Sequence, residues 1–164
     1  MTISFNIDEI LEMAEQIERN GTRFYSLAAE RLKQHQDLFK RLAKQEEKHL
    51  AVFSGMRKKL SPADLEATSY DPGNENSLYL QALADREVFK IDENPQESFP
   101  PSITLAGAID AAIRKEKDSI VFYAGMKKLV PEKLGREKIN SIISEEYGHI
   151  AFLRGIVMKN NGGN

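Results

Sequence analysis

The sequence contains no cysteine among its 164 residues. This absence excludes disulfide bonds, thiolate metal sites, iron–sulfur clusters and a cysteine nucleophile, because each of them needs a thiol sulfur. It does not determine the compartment, since a reduced cytosol and a disulfide-free secreted protein both permit it.

Charge of one sign and long apolar runs are also scarce. The formal net charge is -2, so no basic field is available to hold nucleic acid or acidic lipid. No apolar run approaches the roughly 20 residues of a membrane span, and residues 1–8 lack the basic and apolar segments of a secretory signal. We therefore expect a cytoplasmic protein with no nucleic-acid partner and no membrane partner.

The composition that is present indicates a folded globular chain. Apolar residues make up 41% and charged residues 29% of the sequence, whereas disorder needs fewer apolar residues and a larger net charge. A chain of this length suits one domain with one substantial core. We expect a single domain over residues 1–164, with a flexible tail at 159–164.

Four long helices are predicted from apolar residues that recur every three or four positions. The first begins at Asn6, with Glu9 completing a capping box. The second covers about 37–60, the third opens after residue 102 and ends at about 130, and the fourth runs from 131 to about 158. No strand pattern competes with these helices.

A long crossover, residues 61–101, separates the second helix from the third. Turn-forming sequences lie at 71–74 and 94–95, and a short helix is predicted between them, over 77–90. Its apolar stripe consists of Leu80, Leu83, Ala84 and Val88. The predicted fold class is an all-α four-helix bundle whose crossover between helices two and three carries a short helix.

Each long helix places a glutamate where its apolar stripe predicts a core residue, and two helices add a histidine three positions later. The six residues are Glu18, Glu46, His49, Glu116, Glu146 and His149. Any one of them alone would more often reach solvent or pair locally. Four unpaired carboxylates in one core would cost several kcal/mol each, enough to cancel a typical stability of about 5–15 kcal/mol. The core therefore needs a positive partner.

Two divalent cations would neutralise the four carboxylates and leave two neutral imidazoles as ligands. Residues three apart on a helix are separated by about 4.5 Å along its axis, so each Glu-x-x-His pair reaches one centre from one face. One Glu from each of two helices, with Glu-x-x-His from the other two, is the ligand pattern of di-iron and di-manganese bundles. We predict two iron ions, with manganese as the alternative metal.

The two halves of the chain repeat this pattern. The Glu-x-x-His glutamate follows 28 residues after Glu18 and 30 residues after Glu116, as a pseudo-two-fold site requires. Tyr25 and Tyr123 each lie seven residues after the first glutamate of their half. Each tyrosine either donates a hydrogen bond to a ligand carboxylate or packs in the core, and the sequence leaves both alternatives open.

One motif on each long helix carries a family resemblance. The motifs are Glu18-x-x-Gly21-x-x-Phe24-Tyr25, Leu42-Ala43-x-x-Glu46-x-x-His49, Glu116 followed by Phe122-Tyr123, and Glu146-x-x-His149. Together they resemble the rubrerythrin branch of the ferritin-like superfamily. The resemblance implies a ferritin-like fold, a non-haem di-iron centre that cycles between ferrous and ferric states, and a homodimer.

The resemblance also implies roles for single residues. Glu46 and Glu116 look like the carboxylates that bridge the metals, and the terminal ligands are then Glu18 with His49 on one side and Glu146 with His149 on the other. The chain departs from peroxidase-active rubrerythrins at Ser119, where they carry a further glutamate. It also lacks their four-cysteine rubredoxin-type site, so electrons would come from a separate donor protein.

Three functions are compatible with these residues. The first is an oxidoreductase of the peroxidase or ferroxidase type, in which ferrous iron reacts with peroxide or O2. The second is an iron-binding or storage-related protein without redox turnover. The third is a helical interaction module with a metal-free core, which would need the buried carboxylates protonated or paired.

Overall fold

The computed structural model describes residues 5–66, 73, 75–83 and 99–161. This part of the chain contains helices but no β-strand, which confirms the all-α prediction. The helices are α1 Ile7–Arg31, α2 Gln36–Arg57, α3 Pro62–Glu66, α4 Glu75–Leu83, α5 Leu105–Leu129 and α6 Arg136–Asn161. The four long helices form a bundle in which α1 packs along α2 and α5 packs along α6. None of the described helices is both long and apolar enough to cross a membrane.

The start of α1 is fixed by the capping box that the sequence predicts. The Glu9 amide donates to the Asn6 side chain, and the Asn6 amide donates to the Glu9 carboxylate, each at 2.9 Å. Two amide groups at the helix start are satisfied in this way. The second helix ends at Arg57 rather than at about residue 60.

The last helix begins five residues later than the sequence predicts, at Arg136 instead of Pro131. Residues Glu132–Leu134 form a 3-10 turn, and Gly135 follows with φ 101° and ψ 41°. This left-handed conformation is accessible to glycine and interrupts a right-handed helix. The prediction of a continuous helix from Pro131 was therefore wrong. At its other end α6 continues to Asn161, and residues 162–164 lie outside the described residues.

The described part of the crossover helix docks on α5. Leu80 is fully buried, and the Tyr79 hydroxyl donates to the Val121 carbonyl at 3.1 Å. The Tyr79 ring lies where a side chain at Gly125 would otherwise stand, so the missing side chain permits the close approach. The described helix is Glu75–Leu83, whereas Ala84, Val88 and the turn sequence at 94–95 lie outside the described residues.

The apolar core consists of two clusters separated by a polar layer. The first apolar cluster includes Ile10, Leu11, Phe53, Met126 and Ile139. The second apolar cluster includes Phe24, Phe39, Phe99, Ile109 and Leu153. In every long helix the glutamates and histidines singled out above fall between the two clusters, so water is kept from them on both sides.

Candidate metal centre

All six predicted ligand residues are buried in the polar layer, and none is more than 5% exposed. Helix α1 contributes one glutamate and α5 another, while α2 and α6 each contribute a Glu-x-x-His pair. Each pair lies on one face of its helix because residues three apart are neighbours on the helix surface. The bundle therefore brings all six side chains together from four directions.

The ligand atoms form two groups in which every atom lies within 4.8 Å of the others. One group is Glu18, Glu46, His49 and Glu146, and the other is Glu46, Glu116, Glu146 and His149. Each group contains three carboxylates and one imidazole. Two carboxylates belong to both groups, which is the arrangement expected where two cations share bridging ligands.

This grouping differs from the bridging roles that the family resemblance implies. Glu46 is shared, as expected, but the second shared carboxylate is Glu146, and Glu116 belongs to one group alone. The physical reason is the pseudo-two-fold relation between the halves, which exchanges Glu46 with Glu146 and Glu18 with Glu116. Two residues shared by both groups should be symmetry mates of each other. Glu46 and Glu146 are such mates, whereas Glu46 and Glu116 are not.

Both histidines turn the same ring nitrogen toward the carboxylates. His49 Nδ1 lies 3.1 Å from Glu146 Oε1 and 3.6 Å from Glu18 Oε2. His149 Nδ1 lies 2.8 Å from Glu146 Oε2 and 3.4 Å from Glu116 Oε1. Nδ1 is therefore the atom that each imidazole offers to a metal.

The two tyrosines link the halves through hydrogen bonds. Tyr25 on α1 donates to the Glu116 carboxylate on α5, and Tyr123 on α5 donates to the Glu18 carboxylate on α1. Both rings are buried. Of the two alternatives that the sequence left open, the structure shows the hydrogen bond, and each bond crosses to the glutamate of the other half.

Burial and mutual repulsion make the carboxylates hard to ionise. Burial raises the pKa of Glu46, and the charges of Glu146, Glu18 and Glu116 raise it further, well above its usual value. Burial also raises the pKa of Glu116 to about 8. Without a cation, the raised pKa values favour the protonated, neutral form of both carboxyl groups.

The histidines respond in the opposite way to the same charges. Burial acts to lower the pKa of His49, but the carboxylates of Glu146 and Glu18 outweigh it and raise that pKa to about 12. Burial likewise opposes charge on His149, whose pKa the neighbouring carboxylates raise to about 9. Burial alone would raise the pKa of Glu146, yet the two histidines lower it to about 2. Positive charge is what this layer requires.

Hydrogen bonding tests whether the six residues fit a metal pair. Within the described chain, six buried ligand atoms of the centre make no hydrogen bond of normal geometry, although the histidine nitrogens lie close to carboxylate oxygens: Glu18 Oε2, Glu46 Oε1, His49 Nδ1, Glu146 Oε1 and Oε2, and His149 Nδ1. Each unsatisfied buried group costs about 1–3 kcal/mol. No lysine or arginine among the described residues forms an ion pair with them. Four carboxylate oxygens and two imidazole nitrogens without such hydrogen bonds are suitable ligand atoms for two divalent cations.

Glu145 is a neighbour of the centre that the sequence analysis missed. Its Oε2 lies 3.0 Å from His49 Nε2, on the side of the ring that faces away from the carboxylates. The Glu145 side chain is 52% exposed, so it reads as an ordinary surface residue of α6. The sequence position of Glu145 beside Glu146 does not predict its contact with His49, because His49 lies on a different helix.

Ser119 is buried at the level of the centre, and its hydroxyl donates to the Lys115 carbonyl at 3.1 Å. The hydroxyl bonds its own helix backbone, as serines inside helices often do. It therefore supplies no anionic ligand in place of the further glutamate of peroxidase-active rubrerythrins.

Comparisons with known proteins agree with the family resemblance and the fold. The family model described as Rubrerythrin matches residues 9–94, a range that includes Glu18, Glu46 and His49. The crystal structure of a Thermotoga maritima protein, described as ferritin-like and diiron-carboxylate, superposes with a TM-score of 0.66 at 24% identity, covering 93% of this chain and 95% of that chain. This likeness confirms the ferritin-like fold. No curated protein matches the sequence.

Proposed function

Because the chain belongs to the rubrerythrin family, we propose that its buried centre binds two iron ions and that the protein is an oxidoreductase acting on peroxide or O2. The observation that carries the proposal is the pair of four-residue groups with two carboxylates in common. Manganese is the alternative metal, since the same donors suit it.

Each residue has a defined place in this proposal. Glu18 and His49 would hold one ion, Glu116 and His149 would hold the other, and Glu46 and Glu146, which belong to both groups, could serve both ions. Four carboxylates and two neutral imidazoles balance two divalent cations, which removes the repulsion that raises the carboxyl pKa values. The bound irons would supply the electrons that reduce the oxidant.

The surrounding residues prepare the centre for such chemistry. The two apolar clusters exclude water, so that the ligand charges act in a medium of low dielectric constant. Tyr25 and Tyr123 hold two of the carboxylates in fixed orientations. A small reactant can therefore meet the centre without large movements of the ligands.

The proposed function also requires a source of electrons and a working assembly. The chain has no cysteine, so it contains no thiolate iron site of its own that could pass electrons to the centre. We propose a separate electron-donor protein and a homodimer as the working assembly. Light scattering that shows a dimer would support a redox enzyme, whereas a cage-sized assembly would support the storage-related alternative.

The reaction can be tested directly. The metal-free protein is loaded anaerobically with ferrous iron, peroxide or O2 is added, and the near-ultraviolet band of oxo-bridged ferric iron is followed. We expect oxidation to be faster than that of free ferrous iron and to saturate at about two irons per chain. Oxidation no faster than that of free iron would overturn the redox proposal, even if iron binds.

A further inference from the structure

The two histidines of the centre differ at the ring nitrogen that faces away from it. His49 Nε2 lies 3.0 Å from Glu145 Oε2. His149 Nε2 is buried and has no hydrogen-bond partner within the described chain. The six ligand residues correspond between the two halves of the chain, but the hydrogen-bond partners of the two histidine Nε2 atoms do not.

The sequence contains the cause of this difference. Glu145 directly precedes Glu146, and the residue that directly precedes Glu46 is Gln45. The two positions correspond in the repeated Glu-x-x-His motif, so a carboxylate in one half stands where the other half has a neutral amide. Gln45 is only partly buried and makes no hydrogen bond to His149.

A carboxylate at Nε2 changes what a histidine can offer to a cation. An ionised carboxylate accepts hydrogen bonds only, so Nε2 of His49 carries the hydrogen and Nδ1 keeps its lone pair for the metal. The hydrogen bond also fixes the ring orientation and raises the basicity of Nδ1. His149 has the same Nδ1 geometry without this support.

We propose that Glu145 is a positioning residue that makes the two metal positions unequal. The position of Glu18 and His49 fills first and binds its ion more tightly than the position of Glu116 and His149. Partners of this kind change metal affinity by about 10–100-fold, and because Glu145 is half exposed we expect about a tenfold difference. The inference rests on the two-metal function proposed above.

Titration of the metal-free protein with cobalt(II) tests the inference, since this ion reports its ligands by visible absorption and does not need an oxidant. The parent protein should bind two ions in two steps whose dissociation constants differ about tenfold. Glu145→Gln should weaken the first step about tenfold, so that the steps merge. Gln45→Glu should instead tighten the second step.

Glu137→Gln is the matched control, because it removes one exposed charge from the first turn of α6 without touching the centre. It should leave both steps unchanged. A signature specific to Glu145 comes from proton NMR of the cobalt protein. The paramagnetically shifted N–H signal of His49 should exchange slowly with water in the parent protein and rapidly in Glu145→Gln.

The possible outcomes separate the two proposals. Two ions bound with equal affinity, or stepwise binding that survives Glu145→Gln, would overturn the inference and leave the two-metal function standing. No cobalt bound by the parent protein, together with no ferrous iron bound, would overturn both.

Discussion

Glu46 shows what the interior of the bundle does to a single residue. The side chain belongs to both ligand groups, and burial with three nearby carboxylates raises its pKa well above the usual value. In the metal-free protein these effects favour the protonated, neutral form of this carboxyl. Metal binding must displace that proton, which links loading of the centre to proton release.

Glu46→Gln separates the structural from the metal-binding role of this residue. Glutamine has nearly the shape of a protonated glutamate, so we expect the free energy of unfolding of the metal-free protein to change by less than about 1 kcal/mol. Metal binding should be lost at both positions, because the amide cannot carry the negative charge. Thermal unfolding and metal analysis of the purified variant measure the two effects.

Glu18→Gln is the comparison variant, since Glu18 belongs to one group alone. It should lose chiefly one of the two ions. If Glu46→Gln still bound both ions, Glu46 would not be a shared ligand.

At the scale of the helices, the room for the Glu46 side chain of α2 beside α1 depends on a glycine. A Cβ atom added to Gly21 would overlap Glu46 Oε2 and lie 3.1 Å from its Cδ. Glycine inside a helix is about 1 kcal/mol less favourable than alanine, so this position gives up helix stability for room beside the centre. Gly55 on α2 has no such neighbour within 4 Å.

Alanine at these two positions should have different consequences. Gly55→Ala should stabilise the protein by up to about 1 kcal/mol, because it adds helix propensity and meets open space. Gly21→Ala gains the same propensity but pushes the Glu46 carboxylate out of both ligand groups. We expect Gly21→Ala to bind less metal while Gly55→Ala binds the normal amount, as measured by urea unfolding and metal analysis. Equal metal content in the two variants would contradict the role assigned to Gly21.

At the scale of the whole molecule, one ion pair ties the start of the crossover to the turn before α6. Lys133 Nζ lies 2.7 Å from Asp64 Oδ1, and the Ser61 hydroxyl donates to Asp64 Oδ2 at 2.6 Å. Lys133, followed by Ser61, holds the pKa of the Asp64 carboxyl well below its usual range. Because Lys133 is largely exposed, solvent screens the pair and its effect is modest.

The pH dependence of Asp64→Asn follows from the direction of this shift. A carboxyl whose pKa is lower in the folded state stabilises the fold above its unfolded pKa of about 3.9, and the contribution is lost as the pH falls through the folded pKa. The variant should unfold at a lower temperature than the parent at pH 7. That difference should stay constant down to about pH 5 and shrink below about pH 4.

Thermal unfolding of the metal-free proteins across this pH range measures the effect. Lys133→Gln removes the other partner and should reproduce the loss at pH 7. A difference that grew as the pH fell would show that Asp64 stabilises the protein in some other way.

The sequence by itself determined the four long helices, apart from the start of α6 and the end of α2, and the six residues that the structure brings together. Both follow from local rules: the capping box at Asn6 and the three-residue spacing of Glu146 and His149 are set within one helix. The need for protons or a positive partner also follows from the sequence, since four ionised carboxylates on core positions cannot remain unpaired.

Only the tertiary structure decided the relations between helices. It showed that Glu146 rather than Glu116 is shared, that each tyrosine bonds the glutamate of the other half, and that Glu145 supports His49. Gly135 belongs with these features, because its left-handed conformation depends on how the chain must turn between α5 and α6. A helical repeat specifies which residues share a face, whereas distances between side chains of different helices depend on how those faces are packed.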